Sequence, residues 1–90
     1  MKSALEVREQ VIVESSPSDE FTTTYRFRAR VRQSEMNRLT LVCNERIAES
    51  IPVRVQGKTL LWLGEVVSCV PEPESHWALL VRVRRSMLIL

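Results

Sequence analysis

The stretch YRFRARVRQ, Tyr25 to Gln33, changes character at every residue: Arg26, Arg28, Arg30 and Arg32 take every second position, with Tyr25, Phe27, Ala29 and Val31 between them. An extended strand sends successive side chains to opposite faces. A strand here carries an aromatic and aliphatic face and, behind it, a row of four guanidiniums. The same period recurs along the chain. IPVRVQ sets Ile51, Val53 and Val55 against Arg54 and Gln56, and WALLVRVR sets Trp77, Leu79, Val81 and Val83 against Ala78, Leu80, Arg82 and Arg84. LTLVCN groups Leu39, Leu41 and Cys43, and VREQVIVE groups Val7, Val11 and Val13. Half-buried strands have this pattern. A helical period can be sustained only in SALEVREQVI, where Ser3 is placed to cap a short helix, so residues 3–12 read as strand or helix.

The connections agree with a chain of strands. SSPSDE, Ser15 to Glu20, is a turn cluster. QGK at 56–58 signals a tight hairpin in which Gly57 is expected to supply a positive φ. NERIAES at 44–50 has room for a turn or one helical turn. PEPESH, Pro71 to His76, is expected to form an exposed loop, because its two prolines cannot donate to a ladder. KTLLWLGEVVSCV is the longest strand candidate, apolar on both faces at Leu60 to Leu63, and Gly64 marks a bulge or bend inside it. About six short strands, one of them bent, predict a small closed or nearly closed antiparallel β-barrel. Closure would also remove the exposed edges that make so apolar a strand set aggregate.

Ninety residues make one domain, 1–90, with a thin core: about 60% of the unfolded surface is buried at this size. A net charge of +2 does not demand a polyanionic partner, although eleven of the thirteen basic residues are arginine, whose planar fork suits carboxylates and phosphates. Cys43 and Cys69 do not make a disulfide framework and fit best as small buried hydrophobes. MKSALEVREQ lacks an apolar core of secretory length, and no run approaches the roughly 20 apolar residues that span a bilayer. The expectation is a cytoplasmic protein with no membrane insertion.

Catalytic motifs are missing. The single histidine, His76, and the single aspartate, Asp19, fall in separate loop segments without a nucleophile elbow, so an enzyme is not expected. Two cysteines 26 positions apart and one histidine match no metal-ligand spacing, and two isolated glycines build no phosphate-cradling loop. Neither a metal nor a cofactor is called for. His76 reads as an exposed loop residue, and Glu72 and Glu74 as solvated acids.

One segment carries a resemblance. ARVRQSEMNRLTLV, Ala29 to Val42, is similar to the PilZ-domain segment Ala-x-Val-x-Asp-x-Ser-x-x-Gly-Leu-x-Leu; ERIAESIPVRVQG and LLWLGEVVSCVPEPESHWALLVRVRRSML resemble the strands that follow. The similarity of pattern runs over residues 25–88. It implies a six-stranded barrel and the possibility of a cyclic di-GMP ligand, gripped by an Arg-x-x-x-Arg segment and by the Asp-x-Ser-x-x-Gly turn. On this chain Ser34 stands at the motif serine, Arg32 at the acid and Asn37 at the glycine, where a left-handed backbone is expected. Arg32 reverses the discriminating charge, since a guanidinium has donors only and cannot accept from a guanine edge. Upstream, Arg8 is the one candidate for the arginine segment, with Ile12 where the second arginine belongs; Arg26 and Arg30 match its spacing nearer the motif.

The arginine row therefore has three readings. It is a solvated face relieved by glutamates such as Glu14 or Glu65, worth about 0.2–1 kcal/mol per cross-strand pair; an anion-binding stripe of Arg26, Arg28 and Arg30; or a docking face for a protein or nucleic acid. The expectation for function is a PilZ-like signalling module of the cyclic di-GMP receptor and adaptor family, acting more through a protein partner than as a tight receptor. A small RNA- or DNA-binding barrel is the alternative, which requires exposed aromatics that only Trp62 or Trp77 could provide. The third is a structural interaction module, with a homodimer among its forms, using LLWL or the apolar residues Met87 to Leu90.

Overall fold

A computed structural model describes residues 9–15 and 25–89. Six strands follow in chain order: β1 (Gln10–Ser15), β2 (Arg26–Ser34), β3 (Arg38–Cys43), β4 (Pro52–Gln56), β5 (Leu60–Glu72) and β6 (His76–Leu88). All neighbours are antiparallel, and the order β1-β2-β3-β6-β5-β4 closes on itself. Closure depends on β1, which pairs on one side with β2, the next strand in the chain, and on the other with β4: Val13 lies opposite Phe27 of β2 and opposite Val55 of β4. Among the described residues no helix is long and apolar enough to cross a membrane.

Period-two patterning explains why these segments become strands and which way they face. Val11, Val13, Ala29, Val31, Leu39, Leu41, Val53, Val55, Leu79 and Val81 all point into the barrel and are nearly sealed from water. Each of the valines and leucines among them contributes about 1.5–3 kcal/mol by leaving water. Tyr25, Phe27, Ile51, Trp77 and Val83 are half-buried against this core. Ile47, in the connection between β3 and β4, is buried as well and fills space that no strand residue reaches. Ser15 is the buried polar exception; its Oγ accepts the Tyr25 N–H at 2.7 Å, and its own N–H donates to the Tyr25 carbonyl. Residues 10–12 are thus strand; Arg8, Ser3 and the turn expected over Pro17 to Glu20 lie outside the described residues.

Gly64 behaves as a bend should. The β5–β6 register shifts between Leu63 and Gly64, and again between Val66 and Ser68. A methyl group at Gly64 would collide with the Arg82 carbonyl, so the two backbones meet there more closely than any other residue permits. Gly57 differs from expectation. Its φ is not positive; a Cβ there would meet the carboxylate tip of the Glu9 side chain, which would have to move aside. That carboxylate accepts the Lys58 N–H at 2.6 Å, tying the β4–β5 turn to the residue before β1.

The expected loop at Pro71 to His76 is shorter than its prolines suggested. β5 runs on through Pro71 to Glu72, and a 3₁₀ turn, Pro73–Ser75, leads straight into β6. Pro71 is tolerated because beyond Val66 the β5 edge that faces β4 has no partner strand among the described residues. The reversal uses positive φ at Glu74 (67°) and Ser75 (63°), non-glycine residues in a conformation that glycine adopts most easily. At the opposite end of the hairpin, Met87 and Leu88 pair with Leu61 and Leu60. They extend β6 rather than close the barrel, and Leu88 is 70% exposed.

Candidate functional site

With Ala29 and Val31 buried, the alternation of β2 sends Arg26, Arg28, Arg30 and Arg32 to the outer surface, all exposed. Their surroundings differ. At one end, Arg26 donates from Nε to Glu14 Oε2 at 3.1 Å, while Arg54 of β4 donates to the other oxygen of Glu14 at 2.9 Å. One carboxylate thus sits between arginines of its two neighbouring strands, and they hold its pKa below the usual carboxylate value, with the Arg54 hydrogen bond the largest cause. At the other end, Arg32 makes a two-pronged pair with Glu72, at 2.8 Å and 2.5 Å. The pair ties the far end of the β5–β6 hairpin to β2, a strand with which neither β5 nor β6 pairs. The hydrogen bond from Arg32 lowers the Glu72 pKa, and the same bond raises that of Arg32.

The glutamates expected to relieve the row do so only in part. Glu14 serves Arg26, but Glu65 pairs with Arg84 on β6, and Glu72, expected to be solvated, is the partner of Arg32. Of the other outward arginines, Arg54 and Arg84 are ion-paired, and Arg82 lies opposite Arg38.

Arg28 and Arg30, in the middle of the row, make no ion pair or side-chain hydrogen bond among the described residues. They border a shallow cleft of about 180 Å³, with Gln10 of β1 on one side, Asn44 and His76 on the other, and Val42 between. Register explains the gathering: Arg30 lies opposite both Gln10 and Val42, and the residue after Cys43 falls beside His76 because Cys43 lies opposite Trp77. His76 is therefore no exposed loop residue. It opens β6, is half-buried, and its Nδ1 lies 2.9 Å from Asn44 Oδ1. An amide oxygen only accepts, so this bond belongs to the forms of the ring in which Nδ1 bears a hydrogen. Cys43 also borders the cleft but offers no nucleophile: it is buried, its S–H donates to the Glu45 carbonyl at 3.2 Å, and burial pushes the thiol pKa up.

The residues of the resembling motif lie together on the β2–β3 hairpin, with Ser34 ending β2 and Asn37 in the turn, both exposed. Asn37 does not take the left-handed conformation expected of it; the positive-φ residues are Ser50, Glu74 and Ser75. Its carbonyl instead accepts the Val83 N–H at 2.8 Å. Beside it, Met36 is 99% exposed. The aromatics give little stacking surface: Trp62 is buried, and Trp77 is half-buried with the Arg46 guanidinium 5.9 Å from its ring centroid. No group of three or more metal-ligating side chains occurs among the described residues. In comparisons with known proteins, no family model, no curated protein and no solved structure matches this chain.

Sequence reading missed Asn44, Gln10 and the Arg32–Glu72 pair. The first two are recoverable only from register, because they become neighbours of the arginines through strand pairing and not through spacing along the chain.

Proposed function

We propose that the chain is a PilZ-like signalling module working as an adaptor, which docks a protein partner on its arginine-bearing outer face and is not a tight receptor for cyclic di-GMP. The observation that carries this reading is the fork between Arg32 and Glu72. At the position where the resembling family has an acceptor for a guanine edge, this chain has donors, and those donors are already occupied by a carboxylate. The closed six-stranded barrel and the exposed Ser34 and Asn37 support the likeness in architecture. The cleft beside Arg28 is smaller than the 300–1,000 Å³ of ordinary ligand pockets, which weighs against a whole dinucleotide there. A nucleic-acid role is less favoured, because single-strand binding draws on exposed aromatic platforms and Trp62 is buried. Enzymatic function is not part of the proposal.

Isothermal titration calorimetry with cyclic di-GMP tests it. The expected result is no saturable heat at micromolar ligand. Binding at micromolar Kd or tighter, weakened by Ser34→Ala, would overturn the adaptor reading and make the chain a receptor.

A further inference from the structure

We infer that the cleft bordered by Arg28 and Arg30 is a binding site for a single phosphoryl group, either free phosphate or the head of a small phosphate ester. The argument does not depend on the adaptor proposal.

It begins with the contrast inside β2. Four arginines share one face of one strand, and the two at the ends each hold a carboxylate, whereas the two in the middle hold none among the described residues. Like charges on alternate positions of a strand, about 6.6 Å apart, repel one another. A row relieved at its ends and left unrelieved in its middle is one that an anion would complete. A concavity occurs at that same middle, lined by Arg28 and Arg30.

The chemistry of the lining selects the anion. None of the described residues bordering the cleft is acidic. Gln10 adds an amide able to donate. Asn44 has its oxygen hydrogen-bonded to His76, so what it has left to offer is mainly its two N–H donors. Two guanidiniums and two amides supply more donors than a carboxylate, with two oxygens, can accept; a phosphoryl group presents three terminal oxygens and up to two negative charges. Size agrees. A volume of about 180 Å³ equals the share of roughly six waters, room for one tetrahedral anion and part of its shell. The cleft is open outward, so an ester substituent could trail into solvent.

The test is a titration of the whole chain, followed by ¹H–¹⁵N correlation spectra, with inorganic phosphate in one arm and O-phosphoserine in a second; sodium acetate and sodium chloride at matched ionic strength are the controls. Saturable shifts are expected at Ala29, Val42, Asn44 and His76 in at least one phosphoryl arm, and the stronger arm identifies the source. Arg28→Ala and Arg30→Ala should each weaken the affinity about tenfold, the loss of one charge-assisted contact, and Arg26→Ala should not change it. The inference fails if the shifts are linear and equal in chloride, if acetate binds as well as phosphate, or if the shifts centre on Arg38 and Arg82. The location of the shifts in the unsubstituted chain decides the matter even if a variant fails to fold. A negative cyclic di-GMP titration leaves this result untouched, and a negative phosphate titration leaves the adaptor proposal standing.

Discussion

Two sets of side chains alternate along β2 and live under different rules. Ala29 and Val31 belong to the buried core and are about 5% exposed, while Arg26 to Arg32 meet water or carboxylates. Interior positions depend on close packing, where a missing methylene leaves a void. Exterior ones depend on charge in a high-dielectric medium, where most pairs are worth little. Stability should therefore sit on the inner face and recognition on the outer, and the two can be perturbed separately.

The sharpest break in that division is a core truncation. Leu41 is fully buried, facing Val31 on β2 and Leu79 on β6. Leu41→Ala should cost about 2–5 kcal/mol in urea unfolding, enough to threaten a domain of this size. Gly64→Ala tests the same face through the backbone: the added methyl meets a carbonyl that cannot swing aside, so β5 and β6 must separate. A loss of about 1–3 kcal/mol is expected, as for other overpacked sites. Truncation after Ser86 should do far less. It removes the Leu60–Leu88 and Leu61–Met87 pairings and the Ile89–Thr59 hydrogen bond, but leaves the β1–β4 closure intact. A small fall in Tm with no change in barrel content by circular dichroism is expected; complete unfolding would show that the end of the hairpin belongs to the core. Arg28→Ala and Arg30→Ala should lie within about 0.5 kcal/mol of the parent, as for exposed positions generally.

The smallest expected effect concerns pH. Glu14 and Glu72 have pKa values lowered in the folded state by their arginines. Their contribution is therefore fully present above the unfolded carboxylate value of about 4.3 and is lost as pH falls through the depressed folded values. Acid unfolding curves between about pH 5 and pH 2 should steepen slightly on this account, and Glu14→Gln with Glu72→Gln should flatten them. Both carboxylates are solvent-accessible, which keeps the effect slight.

Much of the barrel was legible because β-alternation is written directly into neighbouring residues. Tyr25 to Arg32, Leu39 to Cys43 and Ile51 to Gln56 each state their own faces, and Gly64 marks its bend. What could not be read is what closure brings together. Glu72 and Arg32 are 40 positions apart on strands that are not neighbours, and no pattern along the chain marks them as partners. Gly57 looked like a conformational glycine because turns often need one, yet its φ is not positive, and the group a side chain there would meet is Glu9, far away in sequence. Asn37 misled for a related reason: the resemblance suggested a left-handed residue there, but the β2–β3 connection turns without a positive φ at Asn37. The site followed the same pattern, with the arginines visible as a row and their unequal partners set by register alone.

Barrel closure at β1 decides which side of every strand is outside, and through-space proton contacts at Val13 test it most directly. Contacts from Val13 to both Phe27 and Val55 are expected, with Arg28 and Arg30 amides showing none to the Leu39–Leu41–Leu79 interior. Contacts from Val13 to Phe27 alone, with β4 detached, would mean an open sheet, and the division between a packed inner face and a recognising outer one would be wrong.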